Sequence, residues 1–570
     1  MSATVRSALR VVFLTVMILS ASAVGQSFVQ STGQVETDQQ TETPTPEPVA
    51  DTETPTDRQS GTETLTGGAE QTATARSTLT ATARPSSSGQ TGIDVESRFQ
   101  QAKAETLPGE NWSAQRVREA SGERGLTVVA TQGFYVSGQT AEIAAITPNG
   151  TVVYFNDSYR VYFDVDPVED ERYTVEYVAA RHFDGPVCDQ FDSDQCTRNV
   201  VIRANLTTGD QETVYAELTP RVASARWHDV DRLNDTHLVV ADIVQDSVYT
   251  VDTRDDEIVW EWNASDHYSR DQGGNWADWT HVNDVEVLPD GRIMTSPRNM
   301  DEVIFLERSG GEFVVNESWT LGEDENHSIL YEQHNPDYIP RAYGGPSVIV
   351  ADSENTRIIE FQRVDGEWVQ SWSWRDVRLQ WPRDADRLPG GNTLVVDSNG
   401  NRLVELNDDD EIVWSADIGM PYDVERIGTG DESEGGPAAR LRSRAPIRPI
   451  ITESSDTENG TSGESSEDRS GVDLSVPADG SGAGESADSS LTTVDQFWFG
   501  LKGAIPSLVL NSLLYASPPW VLFTDLAFAG LFLVVGLSWG SSEFYWSRYS
   551  LRGVAGSLWR RVGNAVERVQ

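Results

Sequence analysis

The stretch Trp227-His228-Asp229-Val230-Asp231-Arg232-Leu233 returns in altered form at Asn283-Asp284-Val285-Glu286-Val287-Leu288, His334-Asn335-Pro336-Asp337 and Arg383-Asp384-Ala385-Asp386-Arg387-Leu388. A weaker copy reads Tyr422-Asp423-Val424-Glu425-Arg426-Ile427. From His228 through Asn283, His334, Arg383 and Tyr422 the intervals are 55, 51, 49 and 39 residues, the spacing of propeller blades. The residue that leads each copy, three places before an acidic one, is His, Asn, His, Arg and Tyr in turn. A structural repeat keeps its frame, whereas this position changes its polar chemistry. We read it as a ring of functional groups, one per blade, with the acidic residue holding turn backbone.

Turn chemistry and then a β-branched run follow each frame. Examples are Leu288-Pro289-Asp290-Gly291-Arg292-Ile293-Met294 and Leu388-Pro389-Gly390-Gly391-Asn392-Thr393-Leu394-Val395-Val396-Asp397. Further short strands, the last ending in Trp at Trp260 to Trp262 and at Trp414, complete four per unit. The expected fold is all-β, a β-propeller of four-stranded sheets. Leu126 to Ala130, Ala141 to Ile146, Thr151 to Phe155, Tyr173 to Ala180 and Val200 to Asn205 supply one or two further blades. Six in total is the expectation, and residues 96–427 are assigned to the propeller.

The flanks differ in kind. Residues 1–25 carry Arg6 and Arg10, an apolar core and small residues, the layout of a secretory signal or an uncleaved anchor. Residues 26–95, rich in Thr, Ser and Pro, read as a disordered stalk, and 428–490, acidic and rich in Gly and Ser, as a flexible linker. A hydrophobic region at 500–540 contains a membrane span expected at 519–539, and its first part, Ala504 to Ala516, reads as an interfacial segment or half of a hairpin. An Arg-rich tail at 541–570 belongs on the cytoplasmic side, which places the propeller outside the cell.

The formal charge is −47, with 90 acidic against 43 basic residues, and Lys occurs only at Lys103 and Lys502. Such a balance suits a surface adapted to high salt and excludes nucleic acid as a partner. Cys188 and Cys196, the only cysteines, are expected to form a local disulfide in an exported protein. Nine Asn-x-Ser/Thr sequons permit glycosylation.

In a propeller the innermost strands line a central channel, so His228, Asn283, His334, Arg383 and Tyr422 should face one another. The set suits an oxyanionic substrate more than a metal, because no third His or carboxylate joins the ring. His281 is expected on the same strand and face as Asn283. Arg298, in Ser296-Pro297-Arg298-Asn299, stands where other blades carry Asp352-Ser353 or Asp397-Ser398. Its planar fork matches sulfate, phosphate or carboxylate. His182, His237, His267 and His327 fall outside this register and are read as structural.

These motifs, with Tyr331-Glu332-Gln333-His334-Asn335-Pro336 and Leu379-Gln380-Trp381-Pro382-Arg383-Asp384 above all, resemble the arylsulfotransferase family, in particular its haloarchaeal branch. The likeness runs from about Arg221 to Val424. It implies a six-bladed propeller that moves a sulfuryl group from a phenolic sulfate ester to an acceptor phenol by a ping-pong cycle, without metal or cofactor. By motif, His334 resembles the histidine that is transiently sulfated. His228 and His281 then correspond to proton donors or shuttles, and Asn283 and Arg298 to holders of the sulfate oxygens. Arg383 and Tyr422 are expected to bind substrate. The competing expectation is a non-catalytic, membrane-anchored propeller that binds an anion, a glycan or a surface partner in the same channel.

Overall fold

The computed structural model describes residues 3–32, 114–133, 141–191, 193–220, 226–275, 278–438, 448–449, 493–518 and 521–546. Most of the stalk (33–95), most of the linker and the tail beyond 546 lie outside the described residues.

Six antiparallel sheets surround one axis, a six-bladed β-propeller. The innermost strands are Val161–Pro167, Trp227–Asn234, Val282–Val287, His334–Ile339, Pro382–Arg387 and Pro421–Arg426 for blades 1 to 6. Blade 6 closes the ring with strands from both ends of the domain: Pro421–Arg426 pairs with Thr127–Thr131, followed by Ile143–Ile146 and Val152–Asn156. Each sheet buries both faces against its neighbours, which explains the near-continuous apolar runs. Val239, Val248, Val282 and Ile304, for instance, form one core between blades 2 and 3, and Ile349, Ile358, Val395 and Val404 another between blades 4 and 5.

The acidic frame residues bind blade to blade rather than holding their own turns. Val230 N–H donates to Asp164, Val285 to Asp229, Val424 to Asp384 and Val165 to Asp423, at 2.6 to 3.2 Å. The acid two residues further on repeats the device, Val287 N–H donating to Asp231 and Tyr338 N–H to Glu286. Asp284 breaks the series because the matching residue of blade 4 is Pro336, which has no N–H.

The sheets also share a distortion. Every innermost strand slips register by one residue at or directly after its lead position, as at Trp227/Asp229, Val282/Val285, His334/Asp337 and Pro382/Asp384. An extra residue there bends the strand and re-aims the side chain toward the axis.

Several boundaries differ from expectation. Residues 428–438, read as the start of the linker, pack on the far end of the channel. Ser433 N–H donates to Asp337 at 2.9 Å, Gly435 N–H to Arg387 O at 2.8 Å, and Ala438 N–H to Glu360 at 3.0 Å. The helix long and apolar enough to cross a membrane runs Phe523–Trp546, later than 519–539. Asp525 lies in its first turn and accepts from Leu522 N–H at 2.9 Å, as a helix start requires. Ala504 to Ala516 covers the break and the second helix of a pair, Thr493–Gly503 and Ser507–Tyr515, bent by 97°. The helix Ala3–Thr32 continues past residue 25 and lies along Phe523–Trp546, with Arg10 paired to Glu543. Cys188 and Cys196 are joined as a disulfide in the tip of the long hairpin Thr174–Asp184/Gln195–Asn205.

Candidate functional site

The bulges bring the lead side chains together at the end of the channel where the innermost strands begin. The His228 ring lies 4.9 Å from His281 and 5.8 Å from Tyr422, and His334 is 6.1 Å from Tyr422. The Arg383 guanidinium stands 5.3 Å over the Tyr422 ring and 3.8 Å over Trp381. His228, His281, His334, Arg383 and Tyr422 are buried, His281 the most open of them at 8%, and Trp381 is half-buried.

A sixth lead residue completes the ring. Phe163-Asp164-Val165-Asp166 repeats the frame in blade 1, and Phe163 stacks on His228 at 4.1 Å and meets Tyr422 edge-on at 4.9 Å. Sequence reading passed over it because the lead residue is apolar and the long hairpin stretches the interval to His228.

Each histidine has a fixed orientation. His334 Nδ1 lies 2.8 Å from Ser353 Oγ and 3.1 Å from Glu332 O, and the Ser353 hydroxyl donates to Pro382 O at 2.6 Å. Since Ser353 has one hydrogen, Nδ1 carries the proton and Nε2 keeps its lone pair. That Nε2 is buried without a hydrogen-bond partner among the described residues. His281 Nδ1 donates to Asp278 at 2.7 Å, and His228 Nδ1 donates to Arg226 O at 3.3 Å. His281 is not on the Asn283 strand, as expected from spacing, but in the turn before it. Its φ of 49° is matched at Glu332, Trp381 and Met420, each two residues before a lead position. Left-handed backbone at non-glycine residues costs about 1–3 kcal/mol and is held here by the blades around it.

Arg298 stands in the same cluster, 3.6 Å from Asp278 and 3.9 Å from Glu332, with Nε bonded to Asn299 at 2.9 Å. Asn283 Nδ2 donates to Gln333 O at 2.9 Å, while its Oδ1 and the Tyr422 hydroxyl have no partner among the described residues. Seven residues singled out by sequence therefore cluster at this end of the channel, and Phe163, Asp278, Ser353 and Trp381 join them. His237, His267 and His327 bond elsewhere, to Asn234, Glu317 and Asp301, and His182 to Thr197.

The electrostatics favour an anion. Burial, then the Arg383 and Arg298 guanidinium groups, hold His334 well below the usual imidazole range. Burial and the neighbouring His281 do the same for His228. Burial and Arg298 bring His281 down to about 4. Burial lowers Arg383 to about 10, so it stays charged near neutrality, and raises the Tyr422 hydroxyl. The guanidinium groups beside these neutral imidazoles repel a cation and attract an oxyanion. Carboxylates spaced for a divalent cation occur instead toward the other end of the channel, as Asp166, Asp231 and Asp431 and as Glu286, Asp337 and Glu432, each set within 4.8 Å.

No family model matches the chain, and no curated protein matches it. Solved propellers are similar at low identity. A Bacteroides caccae protein of unknown function has TM-score 0.38 and 10% identity over 53% of this chain and 98% of its own. The Pseudomonas aeruginosa periplasmic gluconolactonase has TM-score 0.35 and 13% identity over 53% and 99%. A Staphylococcus aureus virginiamycin B lyase has TM-score 0.31 and 8% identity over 51% and 85%. Likenesses of this order say nothing about the chemistry in this channel.

Proposed function

We propose that the protein is an aryl sulfotransferase working through a sulfohistidine at His334. The observation that carries this reading is the buried, unpartnered His334 Nε2, left as a lone pair by the Ser353 bond and set beside two guanidinium groups. A non-catalytic anion binder has no use for a nucleophile kept deprotonated in this way.

A phenolic sulfate monoanion enters the field of Arg383 and Arg298, and its charge raises the pKa of the imidazoles near it. His334 Nε2 attacks sulfur, the S–O bond breaks, and the leaving aryl oxygen takes the proton that His281 or His228 binds at Nε2 from solvent as the anion enters. The sulfated His334 ring retains its Nδ1 proton, and the bonds to Ser353 and Glu332 O stabilise the positive charge that the ring acquires. In the second half-reaction His281, oriented by Asp278, removes the acceptor's hydroxyl proton. The acceptor oxygen attacks sulfur and the N–S electron pair returns to Nε2. Arg298, Arg383 and Asn283 surround the transferring oxygens in a water-poor pocket, where such donors are each worth roughly 10²–10³ in rate. The scheme needs neither metal nor cofactor.

In this reading the apolar helix Phe523–Trp546 is the bilayer anchor, and the Arg-rich sequence after it supports a propeller on the outer side. The test is the full chain in high salt with p-nitrophenyl sulfate, with and without phenol. Acceptor-dependent nitrophenol release that falls by roughly three orders of magnitude or more in His334→Ala supports the reading. Unchanged turnover in that variant overturns it.

A further inference from the structure

The channel mouth that holds the histidines is flanked by the bent helix pair Thr493–Gly503 and Ser507–Tyr515. One face of the pair is bonded to the propeller. Asn511 Nδ2 donates to Glu354 at 2.8 Å, its Oδ1 accepts from Gln380, and its backbone oxygen accepts from Asn399 Nδ2 at 3.2 Å. The Lys502 ammonium donates to Leu379 O. These contacts are one step from the site. Glu354 follows Ser353, which holds His334, and Trp381 touches both the Tyr515 ring at 5.7 Å and the Arg383 guanidinium at 3.8 Å.

The other face is apolar and open: Phe497 is 63% exposed, Val509 49% and Leu513 52%. Polar residues cover such a face when it meets water. The pair is also continuous with the membrane helix, because Trp498 packs against Phe523 and Phe528. Seven residues, 516–522, separate Tyr515 from the start of Phe523–Trp546 in sequence. With that helix across a bilayer, the open face lies at the lipid surface and the channel mouth beside it.

We propose that the helix pair is a bilayer-seated collar, and that the phenol served by this site is an amphiphile resident in the membrane, reached along the collar as free acceptor or as its sulfate ester. The substrate assignment rests on the sulfuryl-transfer reading, while the bilayer contact does not. A water-soluble substrate would be served better by a mouth turned away from the membrane, as on a propeller held only by a long linker. Here Asn511 and Lys502 fix the mouth against the anchor.

The test uses the full chain in phospholipid vesicles at high salt. A fluorophore on Leu508→Cys or Leu513→Cys is expected to be quenched by lipid-phase quenchers, whereas one on Asp255→Cys, in a turn at the far end of the channel, is not. With p-nitrophenyl sulfate as donor, nonylphenol in the vesicles is expected to compete at least about tenfold better than phenol in water, because the bilayer raises its local concentration at the mouth. The paired variant Asn511→Leu, Lys502→Met, folded by circular dichroism, is expected to keep transfer to soluble phenol and lose that preference. Labels at 508 and 513 that stay in water overturn the collar, whatever the activity. Transfer to phenol without preference for nonylphenol overturns the substrate assignment and leaves sulfuryl transfer standing. No transfer to either acceptor, with the labels in lipid, overturns the transfer reading and the substrate assignment together, and leaves the bilayer contact standing.

Discussion

His334 Nδ1 lies 2.8 Å from Ser353 Oγ, whose single hydrogen is donated to Pro382 O at 2.6 Å, so a serine of blade 4 fixes the tautomer of the ring by bonding to blade 5. Ser353→Ala removes the acceptor for Nδ1–H and leaves Glu332 O as the partner, 3.1 Å away. Transfer is expected to fall by about tenfold, with the loss in kcat rather than KM, since the bond strengthens as the ring becomes cationic. Ser353→Thr, which keeps the hydroxyl, is expected to recover most of it. Equal activity in the Ala variant would mean that Glu332 O alone sets the tautomer.

Asp278 plays the matching part for His281, 2.7 Å from its Nδ1. Burial works against the Asp278 charge, but His281 and Arg298 more than offset it and hold the carboxyl below its usual range. Asp278→Asn still reaches Nδ1, but its amide can present N–H there and force the proton to Nε2, which then cannot accept from the acceptor phenol. A loss on the order of a hundredfold is expected in the acceptor half-reaction. The donor half, read as the burst of nitrophenol, should change less.

Sequence made the ring legible where its members are polar. His228, Asn283, His334, Arg383 and Tyr422 stand out because they vary against a fixed frame, and the structure gathers them in one cluster with His281 and Arg298. Phe163 escaped because an apolar residue in that place looks like packing. Residues 428–438 escaped for the opposite reason: Asp431, Glu432 and Ser433 read as linker composition, and Ser433 binds Asp337 only once the channel exists to receive it. The bulges that aim the side chains are not visible in any one strand, since a slip of register is a relation between two. The collar was half legible. Pro506 and Asn511 marked a break in an apolar run, but the partner that makes a buried Asn tolerable, Glu354, lies in blade 4.

The buried ionisable groups set opposite slopes of stability with pH. Burial first, with neighbouring carboxylates, raises Asp229 to about 8, while burial, partly offset by backbone bonds, raises Asp423 to about 7, and Asp337 stands at about 6. Groups with raised folded pKa contribute stability that is complete below their unfolded value, about 4, and is lost as pH climbs from there through their folded values of about 6 to 8. Burial depresses His228, His281 and His334, so the unfolded chain binds more protons below about 6.5 and stability is lost on acidification from there, for His281 down to about 4. Above about pH 6.5, where the histidine contribution is complete, the melting temperature is therefore expected to fall as pH rises toward 8. The alkaline fall should steepen when salt is withdrawn, because the coupled carboxylates then repel one another unscreened. A melting temperature that rises steadily from pH 6 to 9 would contradict the placement of these carboxyls.

Asp284 offers the sharpest check of the acidic frame. The blade 4 residue placed to donate to it, Pro336, has no N–H, and burial with the nearby Asp229 charge holds Asp284 well above the usual carboxylate range. It is then protonated and donates to Asp229, which in turn accepts Val285 N–H at 3.0 Å. Asn has the same shape and a donor that does not titrate. Asp284→Asn is expected to leave stability unchanged at pH 5 and to add about 1 kcal/mol at pH 8, because the variant has no proton to lose there. Thermal unfolding at the two pH values reads this directly. Equal destabilisation at both would show that Asp284 works as an ionised acceptor, and that the ring needs its charge rather than its hydrogen.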